Sequence, residues 1–294
     1  MTEVILGNET AIRLGFFFGV LAAMAGWEVA APRRTLSASK AVRWYANLGI
    51  VAFNNVLLRL VFALAPVGVA LLAEEQGWGL LNMVEPPPWL AIAAAVVALD
   101  FAIYLQHVMF HAVPVLWRLH RMHHADLDID VTTGARFHPI EIVLSMIIKM
   151  AAIVLLGAPA VAVVIFEVAL NATAMFNHAN VRIPLAVDRS LRLAVVTPDM
   201  HRVHHSVDAV ETNSNFGFNL PWWDRLLGTY RDQPQLGHRG MAIGIGQFRD
   251  QAELHLHRML VQPFAGDVGD YAINRRSWAA DEEKDGDPAG EEYR

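Results

Sequence analysis

The feature that most limits how this chain can fold is a series of five apolar runs. Ala11–Ala31, Leu48–Ala73 and Trp89–His111 each reach the length of about 20 residues that a membrane-spanning helix needs. Two shorter runs follow, Ile140–Leu156 and Ala160–Phe176, separated only by Gly157-Ala158-Pro159. A glycine and a proline that close together end one helix and allow a tight reversal, so this pair is expected to form a membrane hairpin. Its depth in the bilayer is open. Composition agrees: 54% of the 294 residues are hydrophobic and only 18% charged, below the roughly 25% of soluble domains. The first ten residues carry Glu3 and Glu9 but no basic residue, unlike a cleaved signal, so the first run is expected to be a retained anchor.

Charge in the short loops sets the expected orientation. The first loop holds Arg33, Arg34, Lys40 and Arg43 without an acid; the second holds Glu74, Glu75 and Glu85 without a base. The first is therefore expected in the cytosol and the second on the far side. The third helix then returns to the cytosol, and the hairpin leaves and returns there. Segments after His111 and after Phe176 share that face.

The chain has no cysteine, which excludes disulfides, thiolate metal sites and cysteine-ligated iron–sulfur clusters. A metal must be held by imidazole or oxygen, and 13 histidines are available. Eight fall in three groups. His107 and His111 lie four apart at the end of the third helix. His120, His123 and His124 form His-x-x-His-His, and His201, His204 and His205 repeat that pattern. Residues three or four apart share a helical face, so each group can aim its rings at one point. Imidazole suits iron, zinc, copper and nickel, and spacing does not choose among them. A lone histidine on an apolar face is usually structural; eight on one membrane face point to a metal centre.

These residues resemble the fatty acid hydroxylase and sterol desaturase superfamily of membrane di-iron enzymes, from about Asp100 to Tyr230. Asp100-Phe-Ala-Ile-Tyr104-Leu-Gln-His107 with His111 is similar to the first family motif. Leu116-Trp-Arg-Leu-His120-Arg-Met-His123-His124 is similar to the second, and Thr197-Pro-Asp-Met-His201-Arg-Val-His204-His205 to the third. Asn215-Phe-Gly-Phe and Trp223-Asp-Arg-Leu-Leu-Gly-Thr-Tyr230 are also family-like. The resemblance implies that the eight clustered histidines bind two non-haem irons, with His178 in Phe176-Asn-His-Ala-Asn180 as a ninth ligand. For His138 in Arg136-Phe-His-Pro-Ile-Glu141, a ligand, a ligand's neighbour and a packing role stay open. Asp100, Tyr104 and Asn215 are expected as neighbours of the ligands. His238, His255 and His257 are read as surface or packing residues, the last two on an amphipathic helix over Phe248–Val261.

The expected fold is all-α: a multi-pass membrane bundle of three spanning helices plus the hairpin, under a cytosolic histidine-rich metal-binding cap. It divides into N-terminal membrane helices over 1–88, a di-iron core over 89–230, a cytosolic segment over 231–278 and an acidic tail over 279–294. The expected reaction is O2-dependent hydroxylation of a fatty acyl or sterol-like lipid. The alternatives are a desaturase, an ether-lipid monooxygenase, or, in another class, a histidine-lined metal transporter, whose ligands would run along a path rather than gather at one end. The chain shows no flavin, haem or iron–sulfur signature, so a separate reductase is expected as electron donor. No nucleic-acid partner is expected. Two depth matches complete the reading. Lys149 and Glu167 each lie nine residues from Ala158, roughly 13 Å from the turn, and are expected to pair, with Ser145 and Asn171 matched in depth likewise. Asp100 is expected to pair with Arg59 of the second helix.

Overall fold

A computed structural model describes residues 2–273. The acidic tail over 279–294 lies outside the described residues. Within them the chain is helical with no strand beyond two isolated bridges, Pro32–Val181 and Ser206–Ile243. Five stretches are long and apolar enough to cross a membrane.

The first spanning helix, α1, is Glu9–Ala30, and α2 is Lys40–Val61. The run expected as one helix over Leu48–Ala73 is broken. It begins earlier, at Lys40, stops at Val61 and resumes as α3, Pro66–Glu75. Proline is the cause: Pro66 has no N–H to give the preceding turn, and its ring forces Ala65 to extended backbone (φ −74°, ψ 162°). Next come α4, Pro88–Ala112, and α5, Pro114–His124; then the hairpin, α6, Pro139–Leu156, and α7, Ala160–His178; and finally α8, Pro198–His204.

Helix α7 is the axis of the bundle. It packs against α1, α3 and α4, and its lower half joins Val67, Ala70, Leu99, Ile103 and Ile153 in the largest apolar core. Helix α1 otherwise has a bare apolar surface, as a helix facing lipid does. The far end of the bundle is fixed by two glycines in backbone contact. Gly157 ends α6 in the left-handed region (φ 63°), and Gly79 (φ 91°) lies so close that a Cβ on it would sit 2.1 Å from the Gly157 nitrogen. The acidic second loop and the hairpin turn therefore share one end. The first loop is held at the other: Arg33 Nε donates to Asp199 Oδ1 at 3.0 Å, and Arg34 Nη1 to the carbonyls of His238 and Met241 at 2.9 and 2.7 Å. The histidine clusters lie at this same end.

The depth match across the hairpin holds. Lys149 Nζ donates to Glu167 Oε1 at 2.9 Å, and Arg13 of α1 adds a second cation, 3.2 Å from Oε2. A lone charge at this depth costs about 3 kcal/mol on insertion scales. Lys149→Met and Glu167→Gln should each lower folded yield in detergent, and the double variant should lose less than the sum. Additive losses would mean that the pair contributes nothing. Ser145 and Asn171 take other partners: Ser145 Oγ accepts from Gln106 at 2.9 Å, and Asn171 donates to the Glu167 carbonyl.

The Asp100–Arg59 pair does not form. Arg59 is exposed, whereas the buried Asp100 carboxylate accepts from Trp223 Nε1 at 2.8 Å and from the backbone N–H groups of Asn219 and Leu220 at 3.3 Å. Its role is to anchor the chain after the third histidine motif onto α4. The amphipathic helix over Phe248–Val261 is also absent. A 3-10 turn, Gln251–Leu254, and a short helix, Leu256–Met259, replace it, because His255 between them is extended (φ −73°, ψ 140°).

Candidate metal centre

Four helix ends converge on the centre. His107 and His111 sit in the last turns of α4, the His120 group in the last turns of α5, His178 at the end of α7, and His201, His204 and His205 on α8 and its cap. Helices α5, α6 and α8 each begin on a proline, which sets the first turn without losing a needed N–H, and Thr197 caps α8 by accepting from Met200 N. The structure gathers nine imidazoles into two groups: His107, His111, His120, His124 and His204; and His123, His178, His201 and His205. All nine are buried, and within each group one nitrogen from every ring lies within 4.8 Å of the others. Opposite ligands of one metal lie about 4 Å apart, twice a metal–imidazole bond of roughly 2.1 Å, so each group matches a coordination shell in size.

The outward nitrogens decide the tautomers. His107 Nδ1 donates to the Phe216 carbonyl (2.8 Å), His204 Nδ1 to Ser214 (2.8 Å), His178 Nδ1 to Ala174 (2.7 Å) and His123 Nδ1 to Arg136 (3.2 Å). His111 Nδ1 meets Asn213 Oδ1 at 3.1 Å, an oxygen because the Asn213 amide nitrogen donates to the Ala209 and Tyr271 carbonyls. His120 Nδ1 meets Glu141 Oε1 at 2.6 Å, a contact that holds with the proton on either group. With Nδ1 carrying the proton, Nε2 turns a lone pair inward. His123 Nε2 and His178 Nε2 then face each other at 3.2 Å, and His107 Nε2 lies 3.1 Å from His120 Nε2. Two lone pairs that close repel unless a cation lies with them. A proton does not serve: burial drives His120 down to about 3 and His123 well below its ordinary value, with neighbouring imidazoles adding to the shift for His123. Elsewhere His111 Nε2, His204 Nε2 and both nitrogens of His124 and His205 are buried without a hydrogen-bond partner. Such atoms are costly unless ligated. The residues present therefore fit a two-metal centre.

Aromatic rings close the site. Phe216 lies edge-on to His107, His111 and His204 with centroids 5.0–5.5 Å apart, Trp117 packs on His111 and His124, and Phe137 stacks on His123 at 4.5 Å.

The remaining expected residues are placed as follows. His138 belongs to neither group. It caps α6, its Nδ1 accepting from Ile140 N, while Nε2 lies 3.3 Å from the Leu260 carbonyl. Tyr104 touches no histidine nitrogen; its hydroxyl pairs with Thr229 Oγ1 at 2.9 Å. Thr229 in turn donates to Asp224, which accepts from the N–H groups of Phe216 and Gly217. Tyr104 thus acts on His107 only through the loop that carries the Phe216 carbonyl. Asn215 shapes that loop: it sits in the left-handed region (φ 53°), and its amide donates to the Met200 and Arg231 carbonyls. Asn213 and Glu141 were not foreseen from sequence. Of the outlying histidines, His238 is buried, and His255 and His257 are exposed.

One glycine is part of the site. A Cβ on Gly134 would lie 2.4 Å from the Ala174 carbonyl, the acceptor of His178, and 3.1 Å from His178 Nδ1. Gly134→Ala should shift α7 and lower metal content per chain well below wild type. Wild-type metal content in a folded Gly134→Ala protein would refute this close-packing role.

The fold and site together define a membrane-helical protein with two buried, all-histidine groups, a candidate metal centre, at one end of its bundle. Comparison with known proteins agrees. Residues 92–229, just under half of the chain, match the fatty acid hydroxylase family. The chain is 32% identical over 144 residues to an ornithine lipid hydroxylase from Rhizobium tropici, covering 49% of this chain and 43% of that protein. It is 28% identical to human alkylglycerol monooxygenase over 59% of this chain and 38% of the relative. For the Xenopus tropicalis alkylglycerol monooxygenase the figures are 27%, 62% and 40%. The matches thus span about two fifths of the curated relatives. No solved structure matches.

Proposed function

We propose that the chain is an O2-dependent, di-iron lipid hydroxylase of the membrane. The observation that carries this reading is the facing Nε2 contact of His123 and His178, with the unpartnered buried nitrogens of His111, His124, His204 and His205, inside two closed groups of imidazoles. Two irons bound there would supply the O2-activating chemistry that attack on an unactivated C–H bond needs. The protein's part is geometric and electrostatic. Six Nδ1 hydrogen bonds fix ring orientation before metal arrives, which keeps the ligand set from collapsing on itself. Phe216, Trp117 and Phe137 keep bulk water from the centre. Ligands at one end of the bundle suit a substrate whose polar end stays at the interface while its tail lies among the helices. They do not suit a transport path, which would run through the bundle.

Within this reading the histidine end faces the cytosol, as the basic first loop predicts, and a separate reductase delivers electrons there. Likeness to alkylglycerol monooxygenases supports an ether lipid as the second substrate reading. The purified chain should bind about two metals, with iron the active one, and should consume O2 with one class of lipid in a panel. One zinc per chain and no activity after iron loading would defeat the proposal.

A further inference from the structure

A second polar cluster lies at the histidine end, and nothing in the metal centre uses it. Its core is Asp199, two residues before His201 on α8. Arg33 Nε binds both Asp199 oxygens at 3.0 and 3.1 Å, Arg202 Nη1 binds Oδ1, and His238 Nε2 stands 3.6 Å from Oδ2. Arg34 lies beside them, bonded through Nη1 to the carbonyls of His238 and Met241. Two guanidinium groups thus bind one carboxylate, and a third is bonded to the backbone of His238 beside it. The next acid acting on Arg34 is Asp128, so the three guanidinium groups have two carboxylates between them. An excess of positive charge remains.

The donors are also underused. The His238 side chain is 3% exposed and that of Arg202 0%, yet both ring nitrogens of His238 and Arg202 Nε lack a hydrogen-bond partner. Burial holds His238 down at about 4, with Asp199 opposing and Arg202 reinforcing, so at neutral pH it offers one N–H donor and no charge. Buried donors without a protein acceptor, beside excess positive charge, suit an anion. The cluster reaches the surface at Arg33, whose side chain is 19% exposed. Arg33 and Arg34 follow α1 directly, so they stand where a spanning helix leaves the bilayer. The exposed Arg182 is held at that edge by a hydrogen bond from its N–H to the Ala31 carbonyl.

We propose that the pocket formed by Arg33, Arg34, Arg202 and His238 binds a phosphate group presented at the bilayer surface by an anionic lipid headgroup. Guanidinium forks match phosphate oxygens two at a time, and basic residues at a membrane edge draw anionic lipids. The site is separate from the metal ligands and would seat a headgroup next to the helix that carries the third histidine motif.

The test uses the full chain in detergent and reads thermal unfolding with three probes: phosphatidylglycerol, phosphatidylcholine of the same acyl chains, and inorganic phosphate. Phosphatidylglycerol should raise Tm at concentrations where phosphatidylcholine does not, and Arg33→Gln/Arg34→Gln should weaken that response at least tenfold. An equal Tm shift from inorganic phosphate alone, lost in the same variant, supports the anion pocket and assigns it to the free ion rather than the headgroup. Since the double variant could fold poorly, Arg33→Gln alone, at the open edge, is the second variant. Equal shifts from the two lipids in the wild type without a phosphate response, or an undiminished phosphatidylglycerol response in the folded variants, would overturn the proposal.

Discussion

His124→Ala should abolish turnover, with a loss above 100-fold, and should leave a chain that still inserts and folds. Changing a ligand's hydrogen-bond neighbour typically costs about 10–100-fold in metal affinity or activity, and removing a ligand itself costs more. His124 is a sharp choice because, as for His205, neither of its buried nitrogens has a hydrogen-bond partner, so no polar contact of the protein accounts for them. Insertion depends on apolar helices far from this residue and should persist. Metal stabilises a folded state that binds it, so added iron should raise the Tm of the wild type but much less that of His124→Ala. His107→Ala, His201→Ala and His205→Ala should behave alike, whereas the exposed His255→Ala and His257→Ala should keep near-wild-type turnover. Near-normal activity or full metal content in His124→Ala would remove it from the ligand set.

Much of this architecture is legible in the sequence because it rests on local periodicity. Apolar runs mark the spanning helices, and Gly157-Ala158-Pro159 marks the reversal. Counting from that reversal finds the Lys149–Glu167 pair, since antiparallel helices convert sequence separation into depth. The same arithmetic fails for Asp100. It supplies a residue at the right depth, Arg59, but not the Asn219–Trp223 segment that returns from over a hundred positions away to claim the carboxylate. Arg13 joins Glu167 only because α1 packs on α7, which no local pattern records. At the metal site, His-x-x-His-His spacing displays the inward side chains. The groups that fix the outward nitrogens are mostly backbone carbonyls, which leave no mark in the sequence. Glu141 and Asn213 do leave one, but only as single polar residues that three-dimensional placement has to select.

The largest effect on stability should come from Arg43→Met. Sequence counting uses Arg43 for loop charge, yet its side chain is 0% exposed and lies at the centre of an acidic segment. After His124 and Ala125 the chain runs Asp126-Leu127-Asp128-Ile129-Asp130, an alternation that resembles the start of a cation-binding loop. Here the cation is a guanidinium. Arg43 binds Asp126 through Nε and Nη2 at 2.6 and 2.9 Å, Asp130 through Nη1, and Thr133 Oγ1 at 3.0 Å. Burial by itself would raise the Asp126 carboxyl, but Arg43 and Arg136 hold it down at about 2. Removing Arg43 leaves two buried carboxylates without their main partner, a change that typically costs about 3–5 kcal/mol. The loss should spread to the metal centre, because this segment links α2 to the end of α5, where His123 and His124 sit. Arg43→Met should therefore cut folded yield severely. Arg43→Met/Asp126→Asn should recover part of it, since that pair removes one of the stranded charges. Arg43→Lys should recover less than the wild type holds, because a single ammonium cannot bridge both carboxylates as the fork does. Folded yield and metal content measured across these variants decide the matter: an Arg43→Met protein with wild-type yield and full metal content would show that the buried network contributes little to the fold.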